Sequence, residues 1–168
     1  MNNTALKKIR YAGIAMQIPK SWKAESAEYD EADGSKSYSL CLYGNGRDAR
    51  SIDLSIGVIP EGSDAYVEAS RAYQEVICEE DLKSNDEPIL SFDFQNLKAY
   101  GFNILTEDGM PCLFFCVCIP ALGENILLTV LTCAPNEKQL QDLVAFVEEN
   151  LSVEQHCQRK TSYRTSVL

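Results

Sequence analysis

Histidine and tryptophan are almost absent from this chain of 168 residues, which has one of each, His156 and Trp22. His156 stands beside Cys157 in a polar segment near the end of the sequence. A catalytic nucleophile and its base need hydrogen-bond reach and, in general, exclusion of water. A terminal Cys-His neighbour pair meets neither condition, and no second histidine supplies another base. We therefore predict no catalytic residues and a protein that is not an enzyme.

Basic charge is also in short supply: 15 lysines and arginines face 25 acidic residues, for a formal net charge of -10 and a pI of about 4.6. An acidic surface repels phosphate backbones, so nucleic acid is not an expected partner.

Long apolar runs are missing too, because the segments 112–119 and 126–131 are too short to span a bilayer. No apolar run follows the lysines of residues 1–8, so we expect no secretory signal, no membrane contact and a cytoplasmic location. The expected partner is another protein, and the oligomeric state stays open, a dimer included.

Cysteine is abundant, with seven residues, an odd number. Without an export signal this count favours reduced thiols in a reducing compartment, where buried cysteine serves as a small apolar side chain. The alternative is a thiol or zinc site. It would use Cys112, Cys116 and Cys118 from one strand face, with Cys133 from the next strand. Core packing is the preferred interpretation, so no metal and no cofactor are predicted.

The pattern of apolar residues predicts one domain. Alternation of apolar and polar residues predicts strands near 14–18, 38–42 and 52–58, and a polar stretch over 23–36 with an Asp33-Gly34 turn connects the first two. A helix follows, which Ser63 caps and which runs to about Asp81. Four strands follow near 89–95, 98–105, 112–119 and 126–133, and a last helix begins after Asn136. The strand at 112–119 is apolar on both faces and is expected in the middle of a sheet. We predict an N-terminal extension (1–10), a single α+β domain (11–153) and a polar, basic tail (154–168).

The segment Gly44-Asn45-Gly46-Arg47-Asp48-Ala49 formally matches the dinucleotide fingerprint G-x-G-x-x-A. A phosphate site of this type needs the loop to open a helix, whose N-terminal amides bind the anion. Strand periodicity follows the loop instead, so we interpret it as a hairpin connection.

The order of these segments resembles the PsbP-like superfamily, which groups a plant photosystem subunit, a Ran-binding nuclear transport factor and bacterial DcrB-like proteins. The matching features are a strand-Pro-x-x-Trp opening (14–22), a strand-Pro-x-Gly-helix passage (52–73), the meander, and a closing helix with Phe146-Val147 and Leu151-Ser152. The resemblance covers about residues 11–153. It implies a PsbP-like α/β/α sandwich, with a mainly antiparallel sheet covered by a helix on each face, and a role without catalysis. Some cytoplasmic, acidic bacterial members serve as chaperones for secreted toxins.

The sequence therefore predicts a cytoplasmic protein-binding or adaptor module, with a chaperone for a secreted protein as one form of it. An immunity-type protein that neutralises a basic toxin is the main alternative, because the same acidity would serve it. A binding surface is expected at exposed sheet or at a sheet edge, and then at a groove beside Trp22. Trp22 is the one named candidate for a binding residue, although bracing of the core beneath the turn is the preferred interpretation of its position.

Overall fold

The computed structural model describes residues 5–80, 88–121 and 124–153, and these form ten strands and two helices. In chain order they are β1 (Leu6–Tyr11), β2 (Ile14–Pro19), β3 (Lys23–Asp30), β4 (Lys36–Tyr43), β5 (Ser51–Val58), α1 (Ala65–Glu80), β6 (Leu90–Phe94), β7 (Leu97–Leu105), β8 (Pro111–Ala121), β9 (Glu124–Cys133), α2 (Glu137–Asn150) and β10 (Leu151–Val153). No helix in this described part of the chain is long and apolar enough to cross a membrane.

The strands form two antiparallel sheets. The small sheet has the order β1-β2-β10, and the large sheet has the order β3-β4-β5-β9-β8-β7-β6. β8 is an interior strand that pairs with β7 and β9, as its two apolar faces predicted. β3 and β6 are the two edges of the large sheet.

The main core lies between one face of the large sheet and a layer made of the small sheet and α2. Its buried side chains come from both layers: Ile14, Met16, Ile18 and Trp22; Leu40, Leu42, Ile52 and Leu54; Phe115, Val117, Leu128 and Val130; Leu140, Leu143, Val147 and Leu151. Burial of each large apolar side chain stabilises the fold by roughly 1.5–3 kcal/mol, so this layer accounts for most of the hydrophobic stabilisation. A smaller cluster joins Ala65 and Ala69 of α1 to Cys116 of β8.

The predicted α/β/α sandwich with a helix on each face is wrong. The protein is mostly β, with two sheets of three and seven strands. The difference comes from β1, β3 and β10, which were not predicted as strands. β1 and β3 lack buried apolar alternation, since β3 is exposed along almost its whole length and β1 is at most half-buried. β10 has only three residues.

Residues 6–10, predicted as an extension, belong to β1 and pair with β2. The predicted tail, 154–168, lies outside the described residues, as do His156 and Cys157.

Local signals in the sequence located several element ends correctly. The Asn136 side chain accepts a hydrogen bond of 2.9 Å from the Gln139 backbone N–H and so caps α2. At α1 the cap is Asp64, whose carboxylate accepts from the backbone N–H of Val67 at 2.9 Å, and not the predicted Ser63. An aspartate oxygen serves this position as well as a serine hydroxyl does, so the sequence alone does not choose between the neighbours.

Candidate functional site: the open half of the large sheet

One face of the large sheet carries α1, and the described residues cover this face only in part. Tyr66 and Tyr73 of α1 contact Tyr100 and Phe102 of β7, with ring centroids 5.5 Å and 5.2 Å apart. In the described residues no helix lies over β3, β4 and β5 on this side, since α1 packs on β7 and β8. Among residues 5–80, 88–121 and 124–153, therefore, nothing forms a second layer over half of this sheet face.

Small and polar side chains occupy the middle of the uncovered half. The strand register places one row of side chains straight across four strands, from Ala27 through Ser39 and Ser55 to Thr129. The next residue in this row is Cys116, which packs against α1. We call this middle part of the uncovered surface the open face; it comprises Ala27, Ser37, Ser39, Ser55, Gly57 and Thr129, all half-buried. Small side chains here allow the backbone of another protein segment to approach the sheet closely.

A groove of about 440 Å³ runs along one end of the open face. Glu31 and Lys36 line it from the β3–β4 hairpin, and Glu68 of α1 lines it from the opposite side. The Glu68 carboxylate accepts hydrogen bonds from the Ser63 hydroxyl at 2.6 Å and from Arg71 Nη1 at 2.8 Å. Glu31 accepts from a serine hydroxyl of the open face, Ser37, at 2.5 Å. The groove thus offers hydroxyls and already bonded carboxylates, which suit recognition of polar or basic groups.

The free thiols near the open face are poor nucleophiles. Burial, followed by a hydrogen bond to Asp53, raises the pKa of Cys41 to about 12. Burial likewise raises the pKa of Cys116 to about 12, against the opposing effect of its hydrogen bond with Thr129. Burial also raises the pKa of Cys118. Because the thiolate is the reactive form and the metal ligand, none of these thiols is prepared for either role.

The prediction that the cysteines are reduced is wrong for two of them. Cys112 and Cys133 form a disulfide between β8 and β9. The register places the two residues directly opposite each other, with their Cα atoms 4.2 Å apart. Two of the four residues proposed for a thiol or zinc site are therefore joined to each other. In the described residues there is no group of three or more metal-ligating side chains.

Trp22, the candidate binding residue, lies in the main core with 1% of its surface exposed. Its indole Nε1 donates to Asp48 Oδ2 at 2.9 Å, and the guanidinium carbon of Arg50 stands 5.3 Å from the ring centroid. Asp48 and Arg50 belong to the connection between β4 and β5, the segment that contains the dinucleotide-like sequence. This connection covers the expected groove beside Trp22, so a ligand would reach the ring only after the loop moved.

The glycines of this connection serve the turn. A Cβ at Gly44 would collide with the backbone and side chain of Asp48, and Gly46 has a positive φ of 65°. Strand β5 follows the loop, as the sequence predicted, and the loop opens no helix that could bind a phosphate.

The acidic edge strand β3 is the feature that the sequence did not reveal. Lys23–Asp30 was interpreted as part of a polar connection, because a strand exposed on both faces has no apolar period. One available signal was the Asp33-Gly34 turn, where Gly34 has a φ of +85° and its N–H bonds to the Glu31 carbonyl at 3.0 Å. A turn of this type before β4 indicates a hairpin, and a hairpin needs a strand on each side.

Comparison with known proteins does not identify a family. No family model matches the sequence. No curated protein matches it either. Among solved structures the chain is similar to a crystal structure from Bacteroides thetaiotaomicron VPI-5482 at 1.50 Å resolution, with 14% identity and a TM-score of 0.43. The match covers 84% of this chain and 45% of that one, so this chain spans less than half the length of its structural neighbour.

Proposed function

We propose that this protein is a non-enzymatic protein-binding or adaptor module, in which the open face receives a segment of the partner. The observation that carries the proposal is the partial cover of one sheet face by α1, which contacts β7 and β8 and leaves the surface over β4 and β5 free in the described residues. The main core packs against the opposite face of the large sheet, so the packing of this core does not depend on the open face. A chaperone for a secreted protein is one form of this role.

The chemistry of the open face favours binding over catalysis. Its thiol neighbours Cys41 and Cys116 are held protonated by a pKa of about 12, and Glu68 in the groove is engaged by two donors. Thiols that stay protonated at neutral pH serve recognition better than nucleophilic catalysis, because the thiolate is the reactive form.

Acidity favours a basic protein as the partner and disfavours nucleic acid, given the net charge of -10. An immunity-type protein that neutralises a basic toxin is the second candidate, because the β3–β4 hairpin concentrates carboxylates beside the open face. A growth assay distinguishes the two candidates: an immunity protein rescues cells that express its toxin, and a chaperone does not. The resemblance to the PsbP-like superfamily stays a prediction, and the proposal does not depend on it.

The cytoplasmic location also stays a prediction, and the disulfide weighs against it. Disulfides persist in oxidising compartments and are rare in reducing ones. The pair Cys112–Cys133 is therefore the observation that favours a compartment outside the cytoplasm.

Affinity capture with matched variants tests the proposed function. Ser55→Arg and Ser39→Arg each place a long cationic side chain on the open face, and Gln141→Arg places the same side chain on the exposed surface of α2. Under native expression, wild type and Q141R are expected to recover the same partner protein in stoichiometric amount. S55R and S39R are first checked for the wild-type melting temperature, and at least one of them is expected to lose this partner. Recovery of the protein alone, or equal recovery by all folded variants, would contradict the proposal.

A further inference from the structure

Unlike its neighbour β4, β3 is exposed along most of its eight residues. Seven of its side chains are exposed and only Ala27 is half-buried, although its neighbour β4 contributes Leu40 and Leu42 to the core. β3 therefore projects beyond the layer that covers the main core. Its place in the sheet rests on the backbone ladder with β4 and on surface contacts such as Tyr43 Oη to Glu25 at 2.8 Å.

In the part of the chain that the structure describes, the outer backbone N–H and C=O groups of β3 have no hydrogen-bonding partner. In an antiparallel ladder the residues alternate between those that bond to the neighbouring strand and those that point away from it. The Glu31 N–H donates to the Ser35 carbonyl at 2.9 Å, so the odd-numbered residues of β3 bond to β4. The Gly44 N–H donates to the Arg50 carbonyl at 2.9 Å, so the even-numbered residues of β4 bond to β5 and its odd-numbered residues bond to β3. The residues of β3 whose N–H and C=O groups point outwards are therefore Ala24, Ser26, Glu28 and Asp30.

Beyond β3 the large sheet has no further strand in the described residues. Natural proteins shorten, bend or cover such edges, because an open edge pairs with other chains. β3 is instead regular over all eight of its pairings with β4, from Lys23 to Asp30. Of the devices that protect edge strands, the described residues of β3 show charged side chains.

That charge has one dominant sign. From residue 23 to residue 36 the hairpin carries five acids and two lysines, for a net charge of -3. Lys36 pairs with Glu28 at 2.6 Å and with Asp30 at 3.6 Å. Glu25 and Glu31 accept hydrogen bonds from hydroxyl groups, which leave their negative charge uncompensated. We call residues 23–36 the acidic edge.

We propose that the acidic edge binds a basic, extended segment of a partner protein, which pairs with β3 as an eighth strand of the large sheet. This inference rests on the proposed function and names the chemistry of the partner. Backbone hydrogen bonds to the four outward residues supply affinity, and lysine or arginine side chains opposite the carboxylates supply selectivity. A second copy of this chain does not fit, because two edges with a net charge of -3 each repel one another.

Amide exchange measured by NMR tests the inference. The probe is a ten-residue peptide that alternates lysine and valine, and its control alternates glutamate and valine. The lysine peptide is expected to slow exchange of the outward amides of Ala24, Ser26 and Glu28 at least tenfold. The amides of Glu25 and Ala27, which already bond to β4, change little. Ser26→Pro removes one outward donor without breaking the ladder with β4 and is expected to weaken peptide binding at least tenfold at an unchanged melting temperature.

Several outcomes would overturn the inference: no binding of the lysine peptide, equal binding of the glutamate peptide, or binding without protection of the outward amides. Dimerisation through β3 that S26P abolishes would assign the edge to a second copy. Native capture separates this inference from the proposed function. If S26P captures the partner as wild type does while S55R loses it, strand addition fails and the binding module stands. If every variant captures the same protein, both fail.

Discussion

The indole Nε1 of Trp22 donates a hydrogen bond of 2.9 Å to Oδ2 of Asp48, 26 residues further along the chain. Arg50 binds the same carboxylate through Nε and Nη2, at 2.8 Å each, and places its guanidinium over the indole ring. On the other side of Trp22, Lys7 Nζ donates a 2.6 Å hydrogen bond to the Trp22 carbonyl. These contacts form a corner where β1, the end of β2 and the β4–β5 connection meet, and the corner links the small sheet to the large one.

Removal of the carboxylate at this corner should destabilise the fold. Asp48→Ala leaves the buried indole N–H without its acceptor, and an unsatisfied buried donor costs about 1–3 kcal/mol. We expect the free energy of unfolding in urea to fall by about that amount. The matched control is Asp93→Ala, which removes an exposed pair with Lys98 and should change stability by less than about 0.5 kcal/mol. Equal effects of the two variants would show that the corner carries no special stability.

Acid should weaken the same corner over a defined range. The Arg50 hydrogen bonds lower the pKa of Asp48 to about 2, against opposing burial and with help from Trp22. The unfolded carboxyl titrates near pH 4, so the folded state favours the ionised form. The contribution is present above about pH 4 and is lost as the pH falls towards 2. The stability difference between wild type and Asp48→Asn should therefore shrink between pH 4 and pH 2, and a constant difference would contradict this prediction.

The disulfide should be detectable and stabilising. Cys112 and Cys133 enclose a short loop, and such a crosslink stabilises a fold by about 3 kcal/mol. Non-reducing peptide mapping should find the two cysteine-containing peptides linked, and Cys112→Ala with Cys133→Ala should lower the unfolding free energy by about that amount. Cys41→Ser, which keeps a donor near Asp53, serves as the control and should have a small effect. Alkylation of both Cys112 and Cys133 in the native protein without reductant would contradict the pairing.

Two glycines of the large sheet should differ sharply in their tolerance of alanine. A Cβ at Gly101 would overlap the Phe114 carbonyl and the backbone and Cβ of Phe115, whereas a Cβ at Gly57 would meet Ser37 Cβ at an ordinary 3.4 Å. Overpacking of this kind costs about 3 kcal/mol when backbone must move. We expect Gly101→Ala to lower the melting temperature strongly or to prevent folding. Gly57→Ala should stay close to wild type. Similar melting temperatures would contradict the close approach of β7 and β8.

Most strands were predictable because their side chains alternate between core and surface. Ile14, Met16 and Ile18 alternate along β2, and all three are buried in the main core. β3 was not predicted as a strand, because a strand without a buried face shows no alternation of apolar and polar residues in the sequence. The acidic edge therefore resembles a polar loop when the sequence is considered alone, whereas most of the open face lies on strands that the sequence did predict.

The sequence by itself determined the apolar periods, the Asn136 cap, the Asp33-Gly34 turn and the acidic net charge, because these depend on residues that are close in the chain or on composition. Only the tertiary structure decided which distant residues meet. Strand register brought Cys112 opposite Cys133, and the β4–β5 connection brought Asp48 to Trp22. Those pairings depend on the packing of two sheets and on the path of the loop. Local propensities do not encode them, since the free energy that selects a register comes from the whole buried face at once.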